Sequence, residues 1–345
     1  MTPLLSLDAV HKRFPLGEKP GLLARAFGAN KPQSMLHAVE NVSFDLHPGE
    51  SIGLVGESGC GKSTLVRLVT RLLDTSEGRI LFNERHIGDV PAHDFARHAE
   101  RARIQQVFQD PTDSLNPRFT AFDCIADPLR RLGATPLPEA KPMSAAAVKA
   151  RVEEAADQVS LPRALLARYP HQLSGGQKLR VGIARGIALK PQLLILDEPT
   201  SALDVSVQAV ILHLLAELRR ELGLSYLFVS HDLNVVRLLC DRVMVMYLGK
   251  IVESGPVEAV FAAPKHPYTQ ALMAAVSKFD PDSGETRIRL TDDPQSPIDP
   301  DPHCCRFYSR CYKKQRACEQ AMPERDGKSV HQVACFFPNR LDEAS

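Results

Sequence analysis

The segment Gly56-Glu57-Ser58-Gly59-Cys60-Gly61-Lys62-Ser63-Thr64 has the composition needed to hold a polyphosphate. Its glycines let successive backbone N–H groups curl around phosphate oxygens, and Lys62 can neutralise the β and γ charges. The Ser63 hydroxyl is a ligand for Mg²⁺, and a helix starting at Lys62 adds the positive end of its dipole. An apolar run at residues 51–55 precedes the segment. Leu65, Val66, Leu68, Val69, Leu72 and Leu73 follow it at helical spacing, a context that a chance lysine in a glycine-rich turn would lack. A second constellation is Leu193-Leu194-Ile195-Leu196-Asp197-Glu198, an apolar strand that ends in two carboxylates. Asp197 can hold Mg²⁺ through water, and Glu198 can orient or deprotonate an attacking water. Alone, such a strand end is weak evidence. Downstream of a phosphate loop, with an insertion between, it points to phosphoryl transfer.

The third motif is Leu173-Ser174-Gly175-Gly176-Gln177. Ser174 as N-cap and Gln177 three positions later form a capping box, which predicts a helix from 175 through 188. An ordinary cap does not need Gly-Gly, and glycines there weaken a helix. What they add is exposed backbone N–H at a positive helix end, an anion site.

These residues need elements to position them. Alternating apolar residues at 4–10 and at Val42, Phe44 and Leu46 predict strands, separated by an inserted loop at 15–34. The apolar runs 193–196, 226–229 and 242–246 are of the kind a parallel sheet buries on both faces. Val207, Val210, Ile211, Leu214, Leu215, Leu218 and Leu222 form a helical stripe between the first two runs. Residues 110–185, proline-rich at first, predict a mostly helical subdomain. In it, Ser144 caps a helix over 145–159, and a second stretch, 163–168, stops before Tyr169-Pro170. Strands alternating with helices give an α/β core. Residues 280–302, dense in Asp, Pro and Ser, form a linker into a cysteine-rich tail, and no internal repeat is present.

The chain has 345 residues, 44% of them apolar, and a formal charge of +1, so it carries no basic field for nucleic acid. No apolar run approaches the roughly 20 residues that span a bilayer. Residues 1–10 lack a basic region followed by a long apolar stretch, so the expectation is a chain without a secretory signal that stays in the cytosol.

Phosphate loop, Leu-Ser-Gly-Gly-Gln, carboxylate strand and downstream histidine, in that order, resemble the nucleotide-binding subunits of ABC transporters over at least residues 4–275. The resemblance implies a P-loop NTPase (RecA-like) α/β core with an antiparallel β subdomain and an inserted helical subdomain. It implies a cassette over 1–275 and an extension over 276–345. It implies ATP and Mg²⁺ as cofactors, with Ser174, Gly175, Gly176 and Gln177 of one subunit closing over ATP held by the phosphate loop of another. By the same resemblance Gln109 touches Mg²⁺ and faces the membrane subunit. His231 contacts the γ-phosphate, Asp204 signals across the dimer, and Phe14 stacks on adenine.

Further segments resemble one subfamily, the ATPases of oligopeptide, dipeptide and nickel importers. They are Gln109-Asp110-Pro111, residues 114–118, Tyr169-Pro170-His171-Gln172, residues 200–208, residues 245–253 and residues 266–272. That implies a peripheral protein on the cytoplasmic face of the inner membrane, the second member of an unlike ATPase pair. Its partners would be two permeases and, indirectly, an extracytoplasmic solute-binding protein, with no nucleic acid. The competing class is a non-transport ABC ATPase acting on nucleic acid or ribosomes, and a redox-sensing tail is compatible with transport.

Of eight cysteines, Cys304, Cys305, Cys311, Cys318 and Cys335 crowd into the tail. In a reducing cytosol they point to metal rather than disulfides. The spacing Cys305-x5-Cys311-x6-Cys318-x16-Cys335 resembles the subfamily's C-terminal pattern, which is associated with a [4Fe–4S] cluster. Four thiolates also suit zinc, or hold nothing. A glycine is usual at 304, so the spacing favours Cys305 over Cys304 as ligand. Two departures from the family pattern follow the signature motif Leu173-Ser174-Gly175-Gly176-Gln177: Lys178-Leu179 replaces Arg-Gln, and Gly182 and Gly186 stand where alanines are common.

Overall fold

In the computed structural model the described residues are 2–17, 33–110, 112–133, 143–201, 203–276, 296–325, 327 and 329–339. Most of the expected inserted loop and linker, Pro111, and Ala202 near Asp204 therefore lie outside them. The strands are β1 (Leu5–Pro15), β2 (Met35–Leu46), β3 (Ser51–Val55), β4 (Glu77–Phe82), β5 (Arg85–His86), β6 (Ile104–Val107), β7 (Leu193–Asp197), β8 (Ser225–Ser230), β9 (Arg242–Tyr247), β10 (Lys250–Pro256) and β11 (Gln332–Val333).

Two sheets result, a four-stranded antiparallel one in the order β2-β1-β4-β5 and a seven-stranded one in the order β11-β10-β9-β3-β8-β7-β6. In the larger sheet β9, β3, β8, β7 and β6 run parallel, and β10 and β11 add an antiparallel edge. The parallel strands alternate between two cores. Leu194, Leu196, Tyr226, Phe228, Val243 and Val245 face the core that includes the helical subdomain. Leu193, Ile195, Leu227, Val229, Met244 and Met246 face the core under the antiparallel sheet, with Leu65, Val66, Leu68 and Val69 of the helix Lys62–Val69. Burial on both faces leaves polar side chains mainly at the strand ends, or where bonds satisfy them as at Glu253 and Gln105.

β1 and β2 run further than simple alternation indicated. Their pairing shifts register between Leu7 and Val10, Val10 and Lys12, and Lys12 and Arg13. Each shift breaks the two-residue period, so the later half of both strands has no clean pattern to read.

The helical subdomain holds the helices Ala121–Leu132, Ala145–Gln158 and Gly175–Ile187. Thr120 and Ser144 cap the first two, accepting from the N–H groups of Asp123 and Ala147 at 3.2 Å each. Pro128 lies inside the first helix, where proline richness had suggested interruption. Residues Arg163–Ala167 form a 3-10 turn rather than an α-helix. In the helix Val205–Leu222 the buried face is Ile211, Leu212, Leu214, Leu215 and Leu218, while Val210 and Leu222 of the expected stripe are exposed.

The residues from 296 on, the expected C-terminal extension, pack onto the preceding strands. β11 pairs with β10 through Glu253↔Val333 and Ser254↔Gln332. The buried Glu253 carboxylate accepts from the N–H groups of Lys265 and His266 at 2.7 and 2.8 Å and pairs with His331 Nε2 at 2.6 Å.

Buried His266 accepts a hydrogen bond from the Tyr268 N–H at its Nδ1 (3.0 Å), and burial lowers its pKa from 6.5 to about 4. The unfolded chain therefore binds the extra proton between those values. This contribution to stability is complete above pH 6.5 and is lost as pH falls toward 4, about 3 kcal/mol in all. His266→Asn, which keeps an acceptor near Nδ1, is expected to flatten that stretch of the stability profile in chemical denaturation. At Gly182, in the interior of the signature helix, a Cβ would meet none of the described residues within 4 Å. Gly182→Ala should therefore stabilise the fold by about 1 kcal/mol and raise the Tm. Gly186→Ala, whose Cβ would lie 3.1 Å from Leu194, should gain less.

Candidate active site

The phosphate-type loop leaves β3 at Val55 and enters the helix at Lys62. It lies so close to β2 and β9 that only glycine fits at two points. A Cβ at Gly56 would sit 2.2 Å from the Met246 carbonyl, and one at Gly61 (φ +111) 2.3 Å from the Ala38 carbonyl. The Lys62 side chain, buried here, donates to the carbonyls of Gly56 (2.6 Å) and Glu57 (3.0 Å), so its charge is held inside the curve of the loop.

β7 delivers Asp197 and then Glu198, whose backbone takes the left-handed φ of +45. A non-glycine residue in that region is strained, and here the Glu198 N–H is tied to the Val229 carbonyl of β8 at 2.9 Å. The Glu198 carboxylate is the meeting point of the site. Its Oε2 lies 2.9 Å from His231 Nδ1, after β8, and accepts from Gln109 Nε2, after β6, at 3.4 Å. Burial pushes the Asp197 carboxyl above the usual carboxylate range. The neighbouring Glu198 charge adds to this, and Lys62 and Arg67 oppose it.

Phe14, residues 57–64, Gln109, Glu198 and His231 line one cleft of about 590 Å³. Lys12 Nζ sits 5.1 Å from the centre of the Phe14 ring. Ser174, Gly175, Gly176, Gln177 and Asp204 do not line this cleft. The capping box is present: Ser174 Oγ accepts from the Gln177 N–H at 3.3 Å, and Gln177 Oε1 accepts from the Ser174 N–H at 3.0 Å. Gly175 and Gly176 instead lie beside Leu203 and Val207, next to Asp204, which begins the helix Val205–Leu222 without a side-chain capping bond among the described residues. The chain thus presents its motif residues as two separate patches.

Leu36, Ala38, Tyr247, Leu248, Ser296 and Pro297 also line the cleft, and none was among the site residues expected from sequence. A turn after an apolar strand could have flagged Tyr247-Leu248. Nothing local marks Ser296-Pro297, which reach the cleft through tertiary pairing alone.

In the extension, Cys305, Cys311, Cys318 and Cys335 line a common cavity of about 10 Å³. Cys304 does not; its thiol donates to the Cys305 carbonyl instead. The expected metal site at these thiols has no support beyond this shared cavity. Among the described residues no three His, Cys, Asp or Glu side chains are grouped to hold a metal ion. In the metal-free chain burial raises the thiols of Cys305 (to about 12), Cys311 and Cys335. Phe307, Phe336 and Phe337 share the cavity wall, so the pocket is apolar and narrow.

Comparison with known proteins agrees with this architecture. Residues 39–201 match the family described as ABC transporter, and residues 252–318 match the oligopeptide/dipeptide transporter C-terminal region. The dipeptide transport ATP-binding protein DppF of Haemophilus influenzae is 41% identical over 339 residues, 97% of either chain. The oligopeptide transport ATP-binding protein OppF of the same organism is 45% identical over 309 residues, 89% of this chain and 90% of its own. The chain belongs to the ABC transporter ATP-binding family. Among solved structures, the ATP-binding cassette MJ0796, in a dimeric post-hydrolysis state bound to ADP and Pi, is similar with a TM-score of 0.61. It is 28% identical and covers 73% of this chain and 98% of its own. The cassette is an ATP hydrolase of the transport type, and among the described residues no helix is long and apolar enough to cross a membrane.

The crowding at Gly61 gives a direct test. Gly61→Ala should weaken ATP binding at least about tenfold in a calorimetric titration, because both the φ and the Ala38 contact must be relieved. Gly59→Ala, with φ +79 but none of the described residues within 4 Å of its Cβ, should cost distinctly less.

Proposed function

We propose that this chain powers the import of peptides, as one ATPase subunit of a transporter with two permeases, a second ATPase and an extracytoplasmic solute-binding protein. It would sit on the cytoplasmic face of the inner membrane. The observation that carries the ATPase part is the convergence of Gln109 and His231 on Glu198 beside the phosphate loop. The peptide assignment rests on the names of the relatives and on the C-terminal region shared with them.

In this reading the loop N–H groups of residues 57–64 and the Lys62 ammonium take the β and γ phosphates. Phe14 stacks on the adenine. Ser63, Gln109 and, through water, Asp197 would hold Mg²⁺, which when bound would offset charge on the phosphate oxygens. Glu198 orients the attacking water and accepts its proton, and His231 keeps that carboxylate in place while reaching the γ-phosphate. The protein does little covalent chemistry; it positions water and meets developing charge.

The separation of the signature patch from the cleft supports a two-subunit site. Ser174, Gly175 and Gly176 present a helix start to another subunit's phosphates, Gln177 rigidifies that start through the capping box, and Asp204 lies beside it. ATP binding would then close the pair and hydrolysis reopen it.

Glu198→Gln keeps the shape of the site and removes the proton acceptor. It is expected to reduce steady-state ATP hydrolysis at least about a hundredfold while an ATP-dependent dimer accumulates in size-exclusion chromatography with light scattering. Normal turnover by this variant would refute the assigned role. Purification from native membranes in mild detergent should bring down two multi-span permeases and a sibling ATPase; ribosomal partners without a permease would refute the transport assignment.

A further inference from the structure

The loop that receives a polyanion contains a carboxylate of its own, Glu57, and the group that meets it comes from the far end of the chain. Arg310 lies in the turn Tyr308–Arg310, just before Cys311 in the extension. Its side chain is 4% exposed and that of Glu57 is 26% exposed. The contact is two-pronged: one guanidinium nitrogen donates to Glu57 Oε2 at 2.7 Å and the other to Oε1 at 3.0 Å. The guanidinium carbon is 5.8 Å from the centre of the Tyr247 ring. Tyr247 packs on Tyr268 (4.7 Å between centroids), and both pack on Phe307 of the extension. Tyr268 in turn accepts from the Glu57 N–H at 2.8 Å. Glu57 is therefore fixed at its backbone and at its carboxylate by groups outside the loop.

A second, independent contact brings the extension to the same cleft. Pro297 O accepts from the His37 N–H at 2.9 Å, and Met35 and Asp299 exchange bonds at 2.8 and 2.9 Å. This pairing with β2 makes Ser296 and Pro297 part of the cleft wall that also includes Phe14.

We propose that the extension is a working part of the ATP site in the same chain, with Arg310 as a positioning residue that neutralises Glu57 and holds the phosphate loop in its binding shape. This rests on the placement of the ATP phosphates at residues 57–64 given above. An unpaired, half-buried carboxylate in that loop would repel the nucleotide in proportion to its charge. The two-pronged geometry explains why an arginine serves here, since a guanidinium matches both carboxylate oxygens at once. It also gives the segment beside Cys311 a direct mechanical route to the nucleotide, as Arg310 and Cys311 are adjacent.

The test is calorimetric titration of the full chain with Mg-ATP and with Mg-ADP. Arg310→Ala is expected to weaken ATP binding about tenfold and ADP binding less. Arg310→Lys, which keeps charge but loses the fork, should fall between that variant and wild type. Arg310→Ala combined with Glu57→Gln should return ATP affinity to within about threefold of Glu57→Gln alone, a rescue that a merely structural anchor would not give. An Arg310→Ala affinity within about twofold of wild type, or a loss that Glu57→Gln does not rescue, would overturn the proposal. If Arg310→Ala does not fold, Arg310→Lys and the double variant carry the same comparison. Lys62→Ala serves as reference: if it leaves ATP affinity unchanged, the phosphate placement itself fails, whatever Arg310 does.

Discussion

A parallel sheet buried on both faces constrains everything else in this molecule. Side chains along β3, β7, β8 and β9 alternate between two apolar cores, so polar side chains sit chiefly at the strand ends. Chemistry is confined to the strand ends. Gly56 follows β3, Gln109 follows β6, Glu198 follows β7 and His231 follows β8, all at the same edge of the sheet. Parallel order places these turns side by side although they are far apart in sequence.

That edge is crowded with charge, and the structure meets each charge in a different way. Lys62 rests on loop carbonyls, Glu198 is approached by an amide and an imidazole, and Glu57 is taken by Arg310. Asp197 is in no ion pair among the described residues, and burial together with its neighbour Glu198 drives its carboxyl up against the opposing charges of Lys62 and Arg67. A divalent ion is what such a carboxylate would favour energetically, which accords with the proposed Mg²⁺ role. The left-handed turn at Glu198 stores local strain where the carboxylate must be aimed, and the tie to Val229 holds it there.

The extension is woven into the cassette at several points. β11 extends the central sheet, Phe307 enters the larger core, and the residues around 297 pair with β2. Arg306 and Glu40 add a partly buried ion pair between the two parts. The cysteines, by contrast, gather around one narrow apolar cavity without forming a group able to hold an ion among the described residues.

Residue order alone determined the parts whose cause is local. The phosphate loop, the capping box at Ser174 and Gln177, the N-cap at Ser144 and the doubly buried strands each follow from a few neighbouring residues, and each is present. Where register shifts interrupt the two-residue period, as along β1 and β2, the pattern gave out before the strand did. Only tertiary structure decided which groups meet. The pairing of Glu57 with Arg310 and the return of Ser296 and Pro297 to the cleft span most of the chain. Packing places Cys305, the thiol its spacing already favoured, beside its fellows and leaves Cys304 outside their cavity. The physical reason is that a contact between residues distant in sequence leaves no periodicity or cap in either segment; it exists only once the sheet has fixed both ends in space.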